Sequence, residues 1–104
     1  MGQSNQLPVP AAAALRRLGH DLALARRKRR ISTTDMAARL FVSRDTLWRL
    51  EKGDPTIAIG TLATVAFILQ LDERLAQMAA APTDRLGLEL DQQHLPRRIR
   101  APRR

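Results

Sequence analysis

The chain has no cysteine and no tyrosine, and among its 104 residues no apolar run of any length. Without cysteine there can be no disulfide framework, thiolate metal site or cysteine nucleophile. The longest apolar stretches, "AAAAL" and "VAFIL", fall far short of the roughly 20 residues that a membrane-spanning helix needs. The N-terminal "MGQSNQLPVP" carries no charged region followed by a secretory core, so a soluble, cytoplasmic protein is expected. Aromatic residues are scarce, one Trp and two Phe, which is too few for the stacking platform that single-stranded RNA recognition uses. The two histidines, His20 and His94, stand apart from any serine, acid or metal-ligand spacing, and no glycine-rich phosphate loop occurs. No enzyme, metal or cofactor is indicated.

Lysine is also nearly missing from a strongly basic chain. Of 18 basic residues only Lys28 and Lys52 are not arginine, against 10 acidic residues, giving a net charge of +8. The planar, multi-donor guanidinium suits phosphate and base edges better than a compact ammonium. Residues 1–53 hold eleven basic and four acidic side chains, residues 54–96 two and six, and residues 97–104 five arginines and no acid. A basic front half and tail with an acidic middle point to a polyanion met by the two ends.

The length is that of one domain, and its periodicity is helical. "ALRRLGHDLALARRKRR" spaces Leu15, Leu18, Leu22 and Ala25 for a first helix over about 11–29, with cations at its C-terminal end, where the helix dipole favours them. Ser32, three residues before Asp35, caps a second helix carrying Met36, Ala37 and Leu40. Ser43 repeats the signal for a third, whose inward face is Val42, Leu47 and Leu50 and which stops at Gly53 and Pro55. After a loop from Pro55 to Ile59, "GTLATVAFILQL" and "DERLAQMAA" supply a fourth and a fifth helix. The expected class is all-α: a five-helix bundle over 11–81, between a flexible segment 1–10 and a flexible basic tail 82–104.

So short a connection between helices two and three, with small Ala37 allowing close approach, fits a helix-turn-helix crossing. With Leu47 and Leu50 turned to the core, Arg44, Asp45, Trp48 and Arg49 face solvent. An arginine-bearing helix with an exposed N-terminus suits the DNA major groove, since arginine can donate two bonds to guanine and the helix N-terminus can donate to phosphate.

The stretch "ISTTDMAARLFVSRDTLWRLEKG", within a likeness that runs from Leu18 to about Met78, resembles the Xre family of helix-turn-helix regulators, whose fold is that of the phage repressor and Cro proteins. More narrowly, "LARRKRRISTTDMAARLFVSRDTLWRLEKGDPTIAIGTLATVAFILQL" with the tail "DRLGLELDQQHLPRRIR" is similar to HipB-type antitoxins, which bind a HipA-type kinase toxin and repress their shared operon as dimers. The resemblance implies that Arg44, Asp45 and Arg49 read bases, that Thr33, Ser43, Trp48 and Lys52 meet the DNA backbone, and that Arg26 and Glu51 form a structural ion pair. The Trp48 indole could contact sugar and phosphate or fold over the stems of nearby arginines. Phe41 occupies the turn position where the family usually has glycine, so either the turn is altered or the ring covers apolar surface in compensation.

Helix four has one stripe of Leu62, Val65, Ala66 and Leu69, with Ala63, Phe67 and Ile68 partly outside it. In a chain this small such surplus marks an interface, and a two-fold homodimer would present two recognition helices to a palindromic operator. The tail could enter a minor groove, lie on phosphates or order on a partner, and the alternation of Leu86, Leu88 and Leu90 allows a short strand. The function expected is a DNA-binding repressor acting as antitoxin to a HipA-like kinase. The alternatives are a stand-alone regulator and a toxin inhibitor acting mainly by protein contact.

Overall fold

Val9 to Lys28 form α1 in the computed structural model, which describes residues 6–100 and their side chains as far as residue 94. Pro10 stands in the first turn, where a missing N–H costs nothing, so α1 begins two residues before the expected start at 11. Arg26, Arg27 and Lys28 fill its last turn, against the negative end of the helix dipole. Next come α2 (Thr33–Leu40) and α3 (Arg44–Glu51). Ser32 Oγ accepts the Asp35 N–H at 3.0 Å, and Ser43 Oγ accepts that of Thr46 at 3.0 Å, so both starts are fixed by serine caps. The remaining helices are α4 (Ile59–Ile68), α5 (Asp72–Ala76) and α6 (Arg85–Arg100), with one 3-10 turn at Ala81–Thr83. No strand occurs among the described residues.

Two expectations need correction. There are six α-helices among the described residues rather than five, and the leucine alternation at 86, 88 and 90 belongs to α6, not to a strand. Asp84 is the cause: its carboxylate accepts the Gly87 N–H at 3.1 Å and its carbonyl that of Leu88 at 2.9 Å, a capping arrangement that starts a helix before the leucines. The expected fifth helix is shorter, α5 closing at Ala76 with hydrogen-bonded turns continuing to Ala80. The chain divides into two compact units between Asp72 and Glu73.

Helices α1 to α4 all end in the same way. After each, one residue turns to positive φ: Arg30 (57°), Phe41 (58°), Gly53 (86°) and Gln70 (62°). The following N–H reaches back to the carbonyl five residues before it, Ile31 to Arg26, Val42 to Ala37, Asp54 to Arg49 and Leu71 to Ala66, while the left-handed residue donates to the carbonyl three before it. This is the Schellman termination, which satisfies carbonyls that the helix end would orphan. Its usual hydrophobic partner is present too: Ile31, Val42 and Leu71 are partly buried against the core. The turn at Phe41 is therefore kept, not altered, and the ring compensates nothing, being 94% exposed.

The core of the first unit joins Leu22 of α1, Met36, Ala37 and Leu40 of α2, Leu47 and Leu50 of α3, and Val65 with Leu69 around α4. Among the described residues no aromatic side chain is buried; Phe41, Trp48 and Phe67 are all exposed. Close helix contact replaces bulk. A Cβ on Gly19 would lie 2.6 Å from the Glu51 carbonyl oxygen, and one on Gly53 would lie 2.8 Å from Arg16 Cα, so α1 and the end of α3 meet backbone to backbone. That contact sets the tilt at which α3 is displayed.

Candidate DNA-binding surface

At 3.6 residues per turn, Arg44, Trp48, Lys52, Asp45 and Arg49 fall on one arc of α3, opposite Leu47 and Leu50. The structure agrees: Leu47 and Leu50 are buried, Arg44, Asp45, Trp48 and Lys52 are exposed, and Arg49 is partly so. The Arg44 side chain forms no hydrogen bond or ion pair within the described residues. Thr33 opens α2, exposed at its first turn. Ser43 is engaged at the N-terminus of α3, its hydroxyl lying 3.0 Å from Thr46 Oγ1 as well as capping the helix. The N–H groups of Arg44 and Asp45 stand in that same first turn, which has no intrahelical acceptors to offer them.

Trp48 is 58% exposed in the middle of the arc, and the Lys52 ammonium stands 5.5 Å from its ring centroid, a cation–π arrangement. Beside it lies a concavity of about 390 Å³ whose walls include Arg16, Trp48, Arg49 and Lys52. Arg16, on α1, was not singled out by sequence, since nothing in the first helix's periodicity sets it apart from Arg17.

Arg26 and Glu51 hold the end of α3 to α1. Nε and Nη2 of Arg26 donate to the two Glu51 carboxylate oxygens at 2.8 and 3.2 Å, and Nη1 donates to the Ile31 carbonyl at 3.0 Å. The arginine is buried, 6% exposed. A two-pronged pair of this kind fixes orientation as well as distance.

Arg49 is the least free of the candidate readers. Its Nε donates to Asp54 Oδ2 at 2.9 Å, its Nη2 to Thr56 Oγ1 at 3.3 Å, and its Nη1 lies 3.8 Å from Asp45 Oδ2. Asp54 Oδ1 in turn accepts the Thr56 N–H at 2.8 Å and hydroxyl at 2.6 Å. The Thr56 hydroxyl and N–H, and then Arg49, bring the Asp54 carboxyl down to about 2. Its hydrogen bond to Asp54 in turn raises the Arg49 guanidinium above its ordinary value. Neither Asp54 nor Thr56 was among the expected site residues. The signal was "DPT", an aspartate able to bond the backbone two residues on, with a proline between.

On α4 the outward stripe is Ile59, Ala63 and Phe67, four residues apart, with Ile59 79% and Phe67 67% exposed. Ile68, expected partly outside the core stripe, packs against the core. No group of acidic, histidine or cysteine side chains able to hold a metal occurs among the described residues, and no described helix is long and apolar enough to cross a membrane.

A family model described as a helix-turn-helix domain matches residues 17–86, which spans α1 to α5 and the start of α6. No curated protein and no solved structure matches the chain. The match covers more than half of the residues and includes the crossed pair α2 and α3 with their serine caps. It supports a DNA-binding regulator, and the chain belongs to the helix-turn-helix domain family.

Proposed function

We propose that the protein is a sequence-specific transcriptional repressor that binds a palindromic operator as a homodimer, with α3 in the major groove, and that it serves as antitoxin to a HipA-like kinase toxin. The observation that carries the DNA reading is the exposed arc of α3, where Arg44, Trp48, Lys52, Asp45 and Arg49 stand together on a helix buried by its other face. Arg44, Asp45 and Arg49 read base edges. Thr33, Ser43, Trp48 and Lys52 meet the sugar-phosphate backbone, and Arg26 with Glu51 hold α3 at its working angle.

The outward stripe of α4 supports the dimer, because exposed isoleucine and phenylalanine one turn either side of an alanine gain by burial against a copy of themselves. The antitoxin role rests on the resemblance of residues 24–71 and 84–100 to HipB-type chains.

The DNA reading is tested by titrating the promoter duplex upstream of the protein's own gene against a scrambled duplex over a range of salt. Specific binding that weakens with a log–log slope of about 0.9 per phosphate contact is expected. Equal affinity for both duplexes at physiological salt would refute it. For the antitoxin role, coexpression with the adjacent gene's product should yield a stable complex and relieve that product's toxicity. A neighbour that neither binds nor harms growth leaves a stand-alone repressor.

A further inference from the structure

We propose that Asp54 and Thr56 are positioning residues for base recognition: together they clamp the side edge of the Arg49 guanidinium so that its end edge is presented, pre-oriented, to a guanine. This inference rests on the reading of α3 as the groove-binding helix and assigns a specificity role to a loop outside that helix.

The geometry is a closed ring. Arg49 Nε donates to Asp54 Oδ2, Arg49 Nη2 donates to the Thr56 hydroxyl oxygen, and the Thr56 hydroxyl donates its own hydrogen bond to Asp54 Oδ1. Each donor has one acceptor, and the single Thr56 proton is used once. The ring is also tied to the backbone at both corners. The Asp54 N–H donates to the Arg49 carbonyl at 3.0 Å, as part of the α3 termination, and the Thr56 N–H donates to Asp54 Oδ1. Pro55, between them, fixes one backbone angle of the loop. The loop therefore cannot move away from Arg49 without breaking the helix end.

The ring leaves a specific part of Arg49 unused. A guanidinium has two edges that can donate a parallel pair: the side edge, Nε with Nη2, and the end edge, Nη1 with Nη2. The side edge is taken by Asp54 and Thr56. The end edge keeps one N–H on each terminal nitrogen, and the Asp45 carboxylate stands 3.8 Å from Nη1. Two parallel donors of this kind match O6 and N7 of guanine. Arginine is otherwise a flexible chain that must lose rotamer freedom on binding, and holding the side edge removes that loss before DNA arrives. The clamp should sharpen discrimination more than it strengthens attachment, because Asp54 places a negative charge near the phosphates while it orients the reader.

The test uses the full-length protein and duplexes selected from a randomised library. The selected palindrome is then varied one base pair at a time, and wild type is compared with Arg49→Ala, Asp54→Asn, Asp54→Ala and Thr56→Val. Arg49→Ala should abolish preference at one symmetric base pair. Asp54→Asn, of nearly the same shape, should lose about tenfold of the preference at that same pair while preferences elsewhere and affinity for random duplex are kept. Thr56→Val should lose less. The ¹⁵Nε–H resonance of Arg49 in the free protein should be slow to exchange in wild type and fast in both Asp54 variants. Full retention of preference at the Arg49 pair in both Asp54 variants overturns the clamp while leaving Arg49 a reader. Specific binding that tightens without Asp54 also overturns it, because the loop would then be withholding the arginine. Unchanged preferences in Arg49→Ala overturn the reading of Arg49 itself, and the clamp with it.

Discussion

Asp54 and Phe41 show at the scale of single residues how differently two loop positions contribute. The Asp54 carboxyl lies at about 2 against an ordinary 3.8, because its charged form is hydrogen-bonded by Thr56 and Arg49. A carboxyl depressed in the folded state favours folding above its unfolded value, and that contribution is lost as pH falls through the folded one. Between about pH 4 and pH 2 the wild-type melting temperature should therefore fall more steeply than that of Asp54→Asn, and thermal melts across that window read the difference. Parallel curves would mean that the carboxylate does not support the fold. Phe41 works in the opposite direction. It holds a left-handed conformation, φ 58°, with its ring 94% exposed. Phe41→Gly should stabilise the protein by about 1 kcal/mol in urea denaturation, since a left-handed non-glycine residue costs about 1–2 kcal/mol. A loss of stability would show that the ring has a folding contact after all.

At the scale of elements, helix beginnings were far more legible than helix ends. Ser32 and Ser43 announce α2 and α3 because a hydroxyl three residues ahead of an N–H is a local chemical fact, readable without a fold. The ends of α1, α2 and α4 use the termination that glycine usually marks, with Arg30, Phe41 and Gln70 in its place, so the strongest sequence cue is missing. What remained was the apolar residue that follows each one, Ile31, Val42 and Leu71, whose meaning depends on a core that sequence does not display. Over the last helix the leucines two apart imitate a strand, while the Asp84 cap that starts a helix sits just before them. The ion pair between Arg26 and Glu51 joins α1 to α3 across 25 residues, and the resemblance, not the spacing, pointed to it. Removing one partner leaves the other charge buried. Glu51→Ala should therefore destabilise by roughly 3–5 kcal/mol in urea denaturation, and the double change Arg26→Met with Glu51→Leu should recover much of that loss. A mild single effect would mean that water reaches the Arg26 guanidinium when its partner is gone.

Across the whole molecule, two sequence features survive as functional guides: the excess of arginine over lysine and the surplus apolar residues of α4. The first is consistent with an exposed α3 arc that carries two arginines. The second resolves into Ile59, Ala63 and Phe67 facing outward while Val65, Ala66 and Leu69 are buried. The periodicity already sets Val65, Ala66 and Leu69 apart from Ala63 and Phe67; Ile68, which packs against the core, is the one it misplaces. If the outward stripe is the homodimer seam, Phe67→Glu should give a monomer by sedimentation and lose preference for a palindrome over a single half-site; a dimer unaffected by that charge would place the seam elsewhere. The central claim is that α3 reads the major groove of DNA, and interference by guanine N7 methylation tests it most directly, because that methyl group lies in the major groove where arginine would donate. With the selected palindrome, methylation at one or two guanines in each half-site should block wild-type binding. The two sets should lie about one helical turn, roughly 34 Å, apart or a multiple of it. Arg44→Ala should become indifferent to one guanine per half-site and Arg49→Ala to another. Binding that no guanine N7 methylation disturbs would contradict the claim.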